Sequence, residues 1–409
     1  MGHEKDRMIL EEEQGWRFRD DDNVCHRCIS DPYLREMVRS QASEFECSFC
    51  GWHTRKVPNS IPFNALMEVI GAAIEKYYDR AVNCLGLDDE SESGYAGVTY
   101  DSDDLVRDEI RTPSENGEVI RTIIDSLGDE IWCDQDPYGL SEGDRYAFGW
   151  EAFCNTVKHR IRYFFDSQIE RRVDDDGIPV PEMLDELREV INEAGLISEL
   201  PPGAQLYRVR VHRRGERCTD WRALGSPPPE LSVSNRMSAA GISAFYAAMD
   251  SSTAKAEASA NLAATDGLLL TCATWTATRP LKVLNLARLP EIPSFYEHER
   301  YDRDRILFLW KFIESITEPV QHDGREHVEY VPSQIVTEYF RHRYRLDGGT
   351  ALNGIVYPSA QRKRGKSVIV FASQDDLDPD PSPWGWERTP VLTLDTASIR
   401  RLKRSRACV

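Results

Sequence analysis

Pro201-Pro202-Gly203-Ala204-Gln205-Leu206-Tyr207-Arg208-Val209-Arg210-Val211 is the stretch on which the chain changes texture. Two prolines followed by a glycine end any helix and mark a boundary. Beyond it, Tyr207, Val209 and Val211 alternate with Arg208 and Arg210, the period-two pattern of a half-buried strand. Further strands are expected at 267–275, 282–286, 354–357 and 367–371, with helices over 241–264 and 332–344. Strands mixed with helices predict an α+β domain.

Upstream of the boundary the pattern is helical. In 61–78, Leu66, Ile70, Ala73, Ile74 and Tyr77 recur at helical spacing, and Pro62 suits a first turn. More helices are expected over 104–110, 119–127, 144–166 and 181–194, with an Asp-, Ser- and Gly-rich loop at 86–104. Residues 1–22 are charged and acidic and read as a poorly ordered leader. The basic tail Arg400, Arg401, Lys403, Arg404 and Arg406 reads as a solvated terminus.

With 409 residues, 41% of them hydrophobic, the chain should hold two or three domains with real cores. A net charge of −19 opposes the basic footprint of broad nucleic-acid binding. No apolar run is long enough to span a membrane, and the charged N-terminus lacks a signal-peptide core. A cytoplasmic location is therefore expected, with the ten cysteines as free thiols or metal ligands.

Four of them, Cys25, Cys28, Cys47 and Cys50, are spaced C-x₂-C-x₁₈-C-x₂-C, which falls within the zinc-site template. Each pair offers two thiolates from one tight turn, and two turns close a tetrahedral shell with no open position. Such a zinc is structural. His26 and His53 lie close enough in sequence to substitute, although four cysteines suffice. The plainer reading is two chance thiol pairs.

By position, size and helical texture, residues 54–195 resemble the helical HEPN-related domain found ahead of RES domains. Many HEPN proteins are ribonucleases with an Arg-x₄₋₆-His motif, and no helix here carries it: Ala152, Phe153 and Cys154 occupy the positions before His159. Arg19 to His26 matches only formally, across three aspartates. Ribonuclease activity is disfavoured, which leaves sensing, dimerisation or inhibitor docking.

Past the boundary, five pieces follow in order: Leu206-Tyr207-Arg208; Asn235-Arg236 through Gly241 to Tyr246; Glu257 within Thr253-Ala-Lys-Ala-Glu257-Ala; Val331-Pro332-Ser333-Gln334-Ile335; and Gly354-Ile-Val-Tyr357-Pro-Ser359. Together, over 205–374, they resemble the RES domain, a NAD-consuming toxin module of the ADP-ribosyltransferase-like fold named for an Arg, a Glu and a Ser. The chain departs from the family at Asn235, where Gly is usual, and at Met237-Ser238, where an aromatic-Asn pair is common.

The resemblance implies Glu257, Arg208 and Ser333 as catalytic residues, and Arg208, Arg236, Tyr246 and Tyr357 as NAD-binding residues. The chemistry suits them. Breaking the nicotinamide–ribose bond builds positive charge on the ribose, which a carboxylate stabilises. Phosphates want guanidinium forks, and a tyrosine can stack on the nicotinamide. Each has a plainer reading too. Arg208 sits among Arg210, Arg213, Arg214 and Arg217; Glu257 has Lys255 nearby; Ser333 suits a helix cap; Tyr246 suits a core.

The expected layout is an acidic leader (1–22), a zinc ribbon (23–56), an all-α HEPN-like domain (57–195), a RES domain (204–376) and a C-terminal extension (377–409). NAD is the expected substrate and zinc the structural cofactor. An antitoxin or immunity protein and a self-association partner are the remaining partners the resemblance implies. A protein ADP-ribosyltransferase and a non-catalytic binding module built on the ribbon are the alternatives. In a phage-defence setting the front half would restrain the RES domain, so that removing 1–200 would raise NAD loss.

Overall fold

The computed structural model describes residues 2–165, 177–260, 268–297, 302–320, 324–378 and 389–402. Contacts divide the chain into two compact units, Met1–Arg145 with Glu291–Ile306, and Tyr146–Pro290 with Leu307–Val409.

The first unit runs α1 (Gly2–Gln14), β1 (Asn23–Cys25), α2 (Pro32–Ser40), β2 (Ser60–Pro62), α3 (Phe63–Tyr77), β3 (Tyr78–Arg80), α4 (Ala81–Cys84), β4 (Tyr100–Asp101), α5 (Ser102–Asp104), α6 (Gly117–Leu127) and β5 (Ile131–Asp134). The helical periodicity of α3 buries Phe63, Leu66, Met67, Ile70, Ala73 and Ile74 against one core. A small antiparallel sheet of short strands, ordered β3-β5-β4, sits among the helices of this helical region. One feature differs from expectation: the acidic leader is built in. Arg7 pairs with Glu11 at 3.1 Å and Asp20 at 2.6 Å, and Trp16 is buried against Gly71, where a Cβ would lie 2.9 Å from the indole nitrogen. One buried aromatic outweighs the solvation of the charges around it.

Residues 291–306 also belong to this unit. Phe295 and Tyr296 enter its core, Phe295 5.1 Å from the Tyr77 ring and Tyr296 donating its hydroxyl to Ile110 O at 2.8 Å.

The second unit continues with α7 (Glu142–His159, entering from residue 146), α8 (Met183–Glu193), β6 (Ile197–Leu200), β7 (Gln205–Arg213), α9 (Trp221–Leu224), β8 (Phe245–Ala248), α10 (Ser251–Ala260), β9 (Leu268–Ala277), β10 (Leu281–Asn285), α11 (Arg303–Thr317, from residue 307), α12 (Glu326–Glu329), α13 (Val331–Glu338), β11 (Gly354–Pro358), β12 (Lys366–Val370) and β13 (Leu392–Leu402). The strands form one mixed sheet, ordered β13-β9-β7-β8-β12-β11-β10-β6, in which β10 and β11 are parallel. Its core gathers Leu206, Phe245, Trp275, Val283, Val356, Val368 and Val370.

The described residues between 146 and 195, expected with the helical domain, belong to this unit. Trp150 donates to Ser315 Oγ at 3.2 Å, Lys158 pairs with Glu329 at 2.7 Å, and Tyr339 and Tyr344 donate to Asp185 and Asn192 at 2.6 Å. The helix expected from Gly241 begins only at Ser251. Phe245 and Tyr246 instead pair with Val370 and Ile369 of β12, and Asp250 caps the helix by accepting from the amides of Ser252 and Thr253. Aromatic side chains favour that strand, and the capping aspartate sets the start. The C-terminal extension adds β13, including Arg400 and Arg401, to the sheet edge along β9. Lys403, Arg404 and Arg406 lie outside the described residues.

Candidate functional site

A cavity of about 850 Å³ opens on the second unit, walled by β7, β8, α10, the β11–β12 hairpin and residues around α12. It gathers Arg208, Arg236, Tyr246, Glu257 and Tyr357, five residues that the sequence spreads from 208 to 357.

Arg208 projects from the middle of β7, opposite Ala273 of β9. Its Nη1 donates to Tyr246 O at 2.6 Å, its guanidinium lies 5.1 Å from the Phe245 ring centroid, and its buried Nε has no hydrogen-bond partner. No carboxylate among the described residues forms an ion pair with it. Burial, reinforced by the neighbouring Arg210, lowers its pKa to about 10. A cation desolvated in this way, on a cavity wall, is stabilised when an anion enters.

Arg236 is held differently. Its Nη1 and Nη2 donate to the carbonyls of Ile316 and Glu318 at 2.7 and 2.6 Å, at the end of α11, and its guanidinium lies 5.4 Å from the Tyr330 ring. Two main-chain oxygens therefore fix the direction of that side chain.

Glu257 sits on α10, and both of its described hydrogen bonds fall on Oε1. Ser359 Oγ donates at short range and Ser367 Oγ at 3.3 Å. No described donor reaches Oε2. One oxygen is anchored and the other has no described partner, an arrangement that fixes the direction of a carboxylate while leaving one oxygen open.

Burial shifts the phenols of both tyrosines upward. Tyr246 Oη lies 2.9 Å from Ser238 Oγ, and burial pushes its phenol up to about 12. Burial, then the nearby Tyr246 and Glu257, raise Tyr357 as well.

Ser333 is not on the wall of this cavity. Its hydroxyl reaches the carbonyls of Arg236 at 2.5 Å and Tyr330 at 3.0 Å, and it lines a neighbouring cavity of about 350 Å³. The serines beside the carboxylate are Ser359 and Ser367, which the sequence reading did not choose. The signal was there: Ser359 follows directly on Tyr357-Pro358, the end of β11, and Ser367 pairs with Tyr357 across the hairpin. His327 also lines the large cavity, while His298 and His322 lie outside the described residues.

In the first unit the four cysteines converge. Cys25 Sγ lies 3.8 Å from Cys28 and 3.6 Å from Cys50, Cys28 lies 3.8 Å from Cys47, and all four sulfurs fall within 4.8 Å of one another. A tetrahedron with metal–sulfur bonds of ~2.3 Å has edges of ~3.8 Å. The Cys25 amide and Asn116 Nδ2 point at Cys47 and Cys28, and such donors favour thiolates. Four sulfurs this close cannot all ionise without a cation among them. The donor set therefore fits a metal ion such as zinc, and no histidine joins it among the described residues. No described helix is long and apolar enough to cross a membrane.

A family profile described as HEPN/RES N-terminal domain 1 matches residues 40–171, and one described as RES domain matches residues 205–395. No curated protein and no solved structure matches the chain.

Proposed function

Since the chain carries a RES domain behind a HEPN/RES N-terminal domain, we propose that it is a toxin-type effector that cleaves the nicotinamide–ribose bond of NAD in the 850 Å³ cavity. The observation that carries this reading is the pairing, in one cavity, of a serine-anchored carboxylate with a buried guanidinium that has no anionic partner among the described residues. Arg208 takes the diphosphate, and Arg236 guides it. Oε2 of Glu257 faces the ribose and stabilises the positive charge that builds as the C1′–N bond lengthens. The bonding pair leaves with nicotinamide, which departs neutral, so no strong general acid is needed. Water or inorganic phosphate then forms the new bond at C1′ and gives up its proton. Tyr357 or Tyr246 supplies the ring against which the nicotinamide stacks.

The direct test incubates the purified full-length chain with NAD and measures nicotinamide release, with and without phosphate. Release in water alone identifies a hydrolase, and release only with phosphate identifies a phosphorylase. No release in either condition removes the proposal.

The serine roles separate kinetically. Ser359→Ala is expected to lower kcat about tenfold with KM nearly unchanged, because it frees Glu257 to wander. Ser333→Ala is expected instead to raise KM, because it loosens the backbone of Arg236. Equal effects on both parameters in both variants would refute this division.

Zinc in the Cys25–Cys28–Cys47–Cys50 cluster would hold β1, β2 and the loops around them. Metal analysis should find one zinc per chain, and Cys47→Ser should lose it together with cooperative melting of the first unit, since structural zinc is worth about 10 kcal/mol or more of folding energy. A metal-free wild type with an unchanged melting curve would exclude the site.

A further inference from the structure

We infer that Arg362 is a positioning residue for the Glu257 carboxylate, fastening the hairpin that supplies Ser359 to the helix that supplies Glu257; the inference rests on the NAD-cleavage reading.

The two parts of the carboxylate anchor come from separate elements. Glu257 is on α10, whereas Ser359 stands at the end of β11 where the chain turns toward β12. The short bond between them holds only if the turn and the helix keep a fixed spacing. Within the turn, Ser359 N donates to Gly365 O at 2.9 Å, Gly365 N to Arg362 O at 2.9 Å, and Gln361 N to Ser359 Oγ at 3.2 Å. Besides the serine bonds to Glu257 itself, a polar bridge runs from the turn to the start of the helix. Arg362 Nη1 reaches Asp250 Oδ1 at 2.8 Å and Thr253 Oγ1 at 3.0 Å.

Asp250 is the cap of α10, so the bridge grips the helix where it begins. The Asp250 carboxylate also accepts from the Ser252 amide at 3.0 Å, the Thr253 amide at 2.9 Å and the Thr253 hydroxyl at 2.6 Å. Partial burial acts to raise its pKa, and the Thr253 donors together with Arg362 outweigh it, holding the carboxyl below its usual range. The approach is close: a Cβ on Gly365 would meet Thr253 Oγ1 at 2.7 Å. Glycine lets the turn settle on the first turn of the helix, and Arg362 closes over it.

The Arg362 and Asp250 side chains are 45% and 44% exposed, so the pair adds little to global stability. Its importance lies in geometry. Loss of the bridge lets the turn drift, and Ser359 drifts with it. A displacement near 1 Å at a reacting group costs on the order of a hundredfold in rate.

The test compares full-length wild type, Arg362→Met, Arg362→Lys and the double variant Arg362→Met/Asp250→Asn. Arg362→Met should lower kcat for NAD about tenfold or more, with KM within about twofold and the melting temperature almost unchanged. Arg362→Lys should recover part of the rate, and the double variant should be no slower than Arg362→Met. An unchanged kcat, or a rise in KM alone, overturns the inference, because Arg362 would then be bystander or substrate ligand. Amide hydrogen exchange at Thr253, Gln361 and Gly365 gives a readout that does not depend on turnover. Faster exchange in Arg362→Met supports the bridge, and unchanged exchange overturns it even if the wild type consumes no NAD, a result that would itself count against only the cleavage reading.

Discussion

Glu257→Gln should stop NAD turnover almost completely, with kcat reduced about a thousandfold while NAD still binds. The amide matches the carboxylate in size and can still take a hydrogen bond from Ser359 on its oxygen. What it lacks is the negative charge on the atom that faces the ribose. That charge matters little to ground-state NAD and greatly to a ribose becoming a cation, so the loss falls on kcat more than on KM. Arg208 and Arg236 are untouched, so the diphosphate keeps its contacts. A thermal-shift titration with NAD should therefore show the same midpoint in variant and wild type. A variant that keeps a tenth of the wild-type rate would remove Glu257 from the reaction.

Deleting residues 1–200 should yield a fragment that does not fold, and hence one with no NAD loss, rather than an enzyme released from restraint. The cut removes α7 and α8, whose Phe153, Leu187, Val190 and Ile191 are buried, together with Trp150 against Phe312. At about 2 kcal/mol for each such side chain, the loss approaches the whole stability of an ordinary domain. It also leaves Phe295 and Tyr296, which belong to the first unit's core, with nothing to bury them. Circular dichroism and ANS fluorescence on the fragment would decide the matter. A cooperatively melting fragment with faster NAD loss would reinstate restraint by the front half.

Much of this was legible in the sequence, for identifiable reasons. Strands β7, β9, β10, β11 and β12 follow from short-range alternation or apolar runs, which survive tertiary packing. The cysteine cluster follows from spacing alone. Arg208, Arg236, Tyr246, Glu257 and Tyr357, chosen through the resemblance, line one cavity. What failed was information that only packing supplies. Phe245-Tyr246-Ala247-Ala248 suits helix or strand, and the neighbouring β12 decides it. Trp16 ordered a segment whose charge reads as disorder. Ser333 and Ser359 both lie near a resemblance motif, and nothing in their neighbours says which hydroxyl meets Glu257. The choice is made by the hairpin register that sets Tyr357 opposite Ser367. The division of the chain was hidden for the same reason, since Phe295 and Tyr296 look like any loop aromatics until their partners are known.

That division bears on how the protein is born. The first unit needs residues 291–306 to finish its core, so it stays incomplete while residues 146–290 are being synthesised. At about 5–20 residues per second that is a wait of roughly 7–29 s. Ser359, Ser367 and Arg362 emerge later still. A nascent chain on the ribosome thus has its Glu257 long before it has the hairpin whose serines hold it. The proposed cleavage site therefore exists only in parts until synthesis is nearly complete.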